Sequence, residues 1–121
     1  FDCVLCDAPC SGFGVLSSKP DIKLFRKESD VEELAALQSK ILGVAARCVK
    51  RGGSLVYSTC TVFKRENDDV VNDFLLENKN FAAEKIDLPV DTACGMEKFA
   101  RFFPFRDGFD GFFIARLKRL V

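Results

Sequence analysis

Two short segments, Asp7-Ala8-Pro9-Cys10-Ser11-Gly12 and Tyr57-Ser58-Thr59-Cys60-Thr61, each close an apolar run with a cysteine. Two thiols and a carboxylate gathered at one pocket can do covalent chemistry on a pyrimidine ring. A thiolate adds to carbon 6 of cytosine and turns the ring into an enamine, whose carbon 5 can attack a sulfonium methyl group. A carboxyl group at ring nitrogen 3 assists that addition as an acid or hydrogen-bond donor. The carbon 5 proton must then leave before the thiol is expelled, and a second thiol near the base can help. Cys10, Cys60 and Asp7 supply such a set, provided the two runs lie side by side. In an open α/β sheet the carboxyl ends of neighbouring strands border the ligand crevice, which is where both cysteines would then sit.

The elements that must position them are legible in outline. Residues 1–7 read as a buried strand interrupted by Asp2. Residues 8–27 hold Pro9, Gly12, Gly14 and Pro20 and read as loop. Ser29-x-x-Glu32 offers a capping box. After it Val31, Leu34, Leu37, Ile41, Leu42, Ala45 and Cys48 recur at helical spacing. Gly52-Gly53 stops that helix, and residues 54–59 form a second strand rich in strand formers. A strand–helix–strand unit predicts parallel pairing of the two strands. A second helix follows over 65–77, then a weaker strand over 81–88, a long aromatic-rich loop over 89–111 and a last strand over 111–117. A chain that opens inside a strand is expected to be a fragment. The open edge of that strand invites pairing with a second copy.

Composition narrows the partners. The chain has 121 residues, 48% of them hydrophobic, enough for one packed core. Eighteen basic residues balance eighteen acidic ones, so the chain lacks the basic excess typical of nucleic-acid binders. No apolar run reaches the roughly 20 residues of a membrane span and no signal peptide is visible, so the expectation is a cytoplasmic protein without membrane contact. Cys3, Cys6 and Cys10 superficially resemble a metal-ligand spacing. On a strand, however, Cys3 and Cys6 point to opposite faces, and there is no histidine to help, so no metal is expected. Cys3, Cys6, Cys48 and Cys94 read as small apolar fillers rather than disulfides. The rings of Phe99, Phe102, Phe103, Phe105 and Phe109 read as core and loop packing. Lys19, Lys23, Arg26 and Lys27 make a small basic cluster beside the first cysteine loop, either a solvated face or a phosphate contact. Pro9 stiffens the backbone before Cys10, and Gly12 and Gly14 would let backbone approach a flat base. A helix beginning after Cys60 would lower its thiol pKa, and less clearly that of Cys10.

DAPCSGFGV, KPDIK, LQSKIL, GGSLVYSTCTVFKREND and DGFFIARL together closely resemble the RNA cytosine-C5 methyltransferase family, nearest to its bacterial Sun/Fmu branch. The resemblance covers almost the whole chain. It implies part of a Rossmann-like class I methyltransferase domain, about strands four to seven with a terminal antiparallel hairpin. Residues 1–121 would be the C-terminal portion, without the upstream half that grips S-adenosyl-L-methionine or the RNA-binding region. It further implies Cys60 as nucleophile, Cys10 as release helper and Asp7 between methyl donor and cytosine, with Asp7 and Pro9 bordering the cofactor. The substrate implied is structured RNA, ribosomal before transfer RNA, and this piece alone is expected to be inactive. A DNA cytosine methyltransferase, with Cys10 as nucleophile, fits less well because no E-N-V motif follows. A non-catalytic α/β binding or assembly module is the alternative from another class.

Overall fold

The computed structural model describes residues 1–87 and 98–121. Among these, β1 (Cys3–Asp7), α1 (Ile22–Phe25), α2 (Glu28–Arg47), β2 (Ser54–Thr59), α3 (Asp68–Glu77), β3 (Phe81–Glu84), β4 (Ala100–Phe102), α4 (Pro104–Asp107) and β5 (Phe112–Arg119) follow in order. The sheet runs β1-β2-β5-β3, with β4 also paired to β5. β1 and β2 are parallel, with Asp7 opposite Ser58, as the strand–helix–strand pattern requires. β5 runs antiparallel to β2, β3 and β4. This mixed sheet with its helices is consistent with the partial Rossmann-like domain and reversed terminal strands expected.

One face of the sheet carries the core. Cys6 of β1, Leu55 and Tyr57 of β2, and Phe113, Ala115 and Leu117 of β5 are buried together with residues of α2 and α3. Fully burying an aliphatic or aromatic side chain of this kind is worth about 1.5–3 kcal/mol, so this layer supplies most of what holds the sheet. The bidentate Arg101–Asp68 pair, 2.8 and 3.0 Å, ties β4 to the start of α3.

Several local expectations are corrected. β1 is not a buried strand: Leu5 and Cys3 are exposed and only Cys6 is buried, because α2 covers one of its faces. Cys3 and Cys48 are exposed and therefore not core fillers, while Cys94 lies outside the described residues. α2 is capped two residues before the expected capping box, at Lys27, with the Asp30 carboxylate accepting from the Lys27 backbone N–H at 2.9 Å. Glu32 instead pairs with Arg65. The buried stripe of α2 is Ala35, Gln38, Leu42 and Ala46, rotated from the predicted one so that Leu37 is 44% exposed. The expected helix at 65 is preceded by a 3-10 turn, Lys64–Glu66, and α3 proper begins at Asp68. Asn67 causes the break: it accepts from Thr59 Oγ1 at 2.5 Å and donates to the Thr61 carbonyl at 3.0 Å. The predicted loops contain α1, β4 and α4. Of the five phenylalanines assigned to packing, Phe99 is buried, whereas Phe105 and Phe109 are exposed.

Candidate active site

β1 and β2 end side by side, and the loops that leave them run as a pair. Cys10 Sγ lies 3.2 Å from Cys60 Sγ. Ser11 Oγ lies 2.9 Å from Thr61 Oγ1. The Phe13 and Phe63 rings follow, with centroids 4.9 Å apart. The pairing is continuous with the sheet, since the Ala8 N–H donates to the Ser58 carbonyl at 2.9 Å. The two sequence-predicted thiols are thus brought into contact. Asp7 sits on the exposed face of β1, where Ser58 Oγ donates to its Oδ1 at 2.8 Å. Pro9 is exposed, and its carbonyl accepts from Gln38 Nε2 at 2.9 Å.

Glu66, absent from the sequence-predicted set, holds the arrangement together. It is fully buried. Its carboxylate accepts from the Ser11 N–H (2.8 Å), Ser11 Oγ (2.6 Å), Thr61 Oγ1 (3.0 Å) and Gln38 Nε2 (3.1 Å). Its backbone carbonyl accepts from the Tyr57 hydroxyl at 2.7 Å. One carboxylate therefore joins both cysteine loops to α2. Buried charge is tolerated only when its lone pairs are satisfied in this way. The signal that could have found it is Gln38, a polar residue within the apolar stripe of α2, which demands a buried polar partner.

The surroundings of Cys10 perturb its thiol. Burial, and then the hydrogen bond with Cys60, push the Cys10 thiol up to about 12, so at neutral pH it stays protonated. This reverses the expectation that a helix terminus would lower it. No α-helix starts at either thiol: only short 3-10 turns follow, Phe13–Val15 after Cys10 and Lys64–Glu66 after Cys60, and α3 begins at Asp68 with two aspartates in its first turn. Cys10 should consequently resist alkylation. A thiol at about 12 rather than 9.0 leaves about a thousandth of the thiolate. The higher intrinsic nucleophilicity of a more basic thiolate offsets about half of that on a logarithmic scale. Iodoacetamide at pH 8, followed by peptide mass spectrometry, should label Cys10 about thirty-fold more slowly than exposed Cys3 or Cys48. Equal rates would show that Cys10 is not held as a thiol.

Among the described residues, no group of three His, Cys, Asp or Glu is placed to hold a metal ion, and no helix is long and apolar enough to cross a membrane. Cys3 and Cys6 point to opposite faces of β1, one exposed and one buried.

Comparison with known proteins decides the family. Residues 1–118 match the family described as 16S rRNA methyltransferase RsmB/F. This chain belongs to that family. The ribosomal RNA small subunit methyltransferase B of Shewanella oneidensis is 42% identical over 117 residues, covering 97% of this chain and 27% of that protein. The crystal structure of PH0851 superposes with a TM-score of 0.87 at 37% identity, covering 96% of this chain and 26% of that one. NSun6 from Pyrococcus horikoshii, solved with SFG, gives 0.78 at 34% identity, over 97% of this chain and 29% of its own. The chain thus spans about a quarter of the length of these relatives and shares the fold of the solved ones.

Proposed function

We propose that this segment supplies the pyrimidine-facing part of an RNA methyltransferase site that methylates carbon 5 of a cytidine in small-subunit ribosomal RNA. The observation that carries the reading is the contact of two thiols, Cys10 and Cys60, at the ends of parallel strands. Membership of a family described as 16S rRNA methyltransferases supports the substrate class. A cytoplasmic location goes with that reading.

Cys60 is assigned the nucleophile. Its sulfur bonds to carbon 6 of the flipped-out base, and the ring's electrons move to carbon 5. In the resting site the Cys10 and Cys60 sulfurs share a hydrogen bond at 3.2 Å. Asp7, fixed by Ser58 at the carboxyl end of β1, is assigned to ring nitrogen 3. After carbon 5 gains its methyl group, a solvent base takes its proton, the C–H electrons re-form the 5,6 double bond, and the carbon 6–sulfur bond breaks to release Cys60 as a thiolate. Cys10 is assigned to assist that release, and its contact with the Cys60 sulfur supports the assignment. S-adenosyl-L-methionine, when bound, supplies the electrophilic methyl. The crystallised NSun6 relative contains SFG, an analogue of it. The exposed Asp7 carboxylate and Pro9 ring at one strand end fit one border of such a cofactor and not a whole cradle.

The test uses the full-length polypeptide carrying this sequence, 16S rRNA transcribed in vitro and S-adenosyl-L-methionine. Cys60→Ala should lower methyl transfer by about 10³-fold or more and form no denaturation-resistant RNA–protein adduct. Cys10→Ala should accumulate that adduct. The reverse pattern would assign the nucleophile to Cys10, as in the DNA-type mechanism. Neither adduct nor product, even with the unaltered protein, would leave a non-catalytic binding module.

A further inference from the structure

The paired loops do not stop at the thiols. Three residues beyond Cys10 and Cys60, Phe13 and Phe63 form the floor of a groove of about 580 Å³ that continues to the start of α2. Four basic side chains line it against two acidic ones, in a chain whose net charge is zero. Glu32 is neutralised by Arg65 at 2.9 Å, and Lys64 is paired with Asp69 at 3.1 Å. Arg26 and Lys27 stand exposed at the groove. Phe63 is 37% exposed, unusual for a ring already packed against another. A groove with an aromatic floor, a basic rim and a direct run of backbone to the base-modifying thiols matches single-stranded nucleic acid. Bases of any identity stack on rings, while phosphates take the cations.

We infer that this groove seats a nucleotide adjoining the target cytidine, its base against Phe63 and its phosphate at Arg26 and Lys27. The inference rests on the proposed function and adds to it the surface that reads the flanking RNA. The local positive rim also explains how a chain without overall basic charge could hold RNA at this point. Lys19 and Lys23 belong to the same basic cluster in sequence but do not line the groove.

Binding is measured in the full-length polypeptide by fluorescence anisotropy of a labelled oligocytidine of about ten nucleotides. Phe63→Ala should raise Kd about ten-fold with an unchanged salt dependence, and Phe63→Tyr should restore affinity. Arg26→Ala with Lys27→Ala should weaken binding and reduce the slope of log Kd against log salt by about 0.7 for each phosphate no longer neutralised. Lys19→Ala with Lys23→Ala should change Kd by no more than about two-fold. The Arg26/Lys27 variant removes only exposed side chains, so it carries the test if Phe63→Ala fails to fold. Equal losses from the Arg26/Lys27 and Lys19/Lys23 variants would mean diffuse charge attraction and overturn the groove assignment. Unchanged affinity in the Phe63 and Arg26/Lys27 variants, with methyl transfer intact, would overturn it while sparing the proposed function. Failure of the unaltered protein both to bind oligocytidine and to methylate 16S rRNA would overturn both.

Discussion

Glu66→Ala should lower the unfolding free energy by about 3–5 kcal/mol, although Glu66 touches neither thiol. The carboxylate accepts four hydrogen bonds in a site closed to water. Each donor left without an acceptor costs about 1–3 kcal/mol, and part of that is recovered as the loops relax or admit water. The remaining loss is a large part of a typical domain stability of about 5–15 kcal/mol. Glu66→Gln is the informative companion. It keeps the volume and the backbone carbonyl that receives the Tyr57 hydroxyl. It also turns an NH₂ group toward donors on Ser11 or Gln38, so it should cost less than alanine but clearly more than zero, about 2 kcal/mol. Urea titration with unchanged m-values checks both. A loss below about 1 kcal/mol for Glu66→Ala would show that the two loops hold each other without it.

The residues to which chemistry is assigned were easier to read than the residue that holds them. Cys10 and Cys60 were legible because each ends a strand-like run, and parallel pairing of those runs leaves their ends together. Glu66 was not, because a glutamate near a helix start ordinarily faces water and favours the helix terminus. Only the fold shows that Asn67 interrupts the helix and that Glu66 lies under the loops. The stripe of α2 was misplaced for the same reason. Leu37 satisfies helical periodicity, but Gln38 faces inward because the Glu66 carboxylate and the Pro9 carbonyl both await its amide. β4 and α4 lay within an expected loop. Three-residue strands and single-turn helices carry too few residues for a periodic signal, and the Arg101–Asp68 pair together with pairing to β5 makes β4 stable.

Gly14→Ala is expected to be as damaging as loss of Glu66, for a reason of backbone geometry. The sequence suggested that Gly12 and Gly14 admit a flat base. Gly12 instead takes a left-handed turn, φ 80°, and Gly14 admits other backbone. The Gly14 N–H donates to the Cys60 carbonyl at 2.9 Å, and its own carbonyl accepts from the Gly111 N–H at 2.6 Å. A Cβ on Gly14 would lie 2.2 Å from the Gly111 oxygen and 2.7 Å from the Cys60 oxygen. Neither is a flexible side-chain end, so the cysteine loops and the turn before β5 must part. The two hydrogen bonds go with that separation, for a total of about 3–5 kcal/mol. Because the displaced carbonyl belongs to Cys60, the thiol pair separates too. Cys10 is then stripped of the burial and the neighbouring sulfur that keep it protonated, and its slow alkylation should speed toward that of Cys3. Gly43→Ala provides the contrast within the same chain. Its Cβ would meet nothing within 4 Å, and it lies inside α2, where alanine is favoured over glycine by about 0.5–1 kcal/mol. Thermal melting should therefore shift upward for Gly43→Ala and sharply downward for Gly14→Ala. Similar small shifts for both would mean that the loops can open at Gly14 without strain, and that the backbone crossing does not fix Cys60.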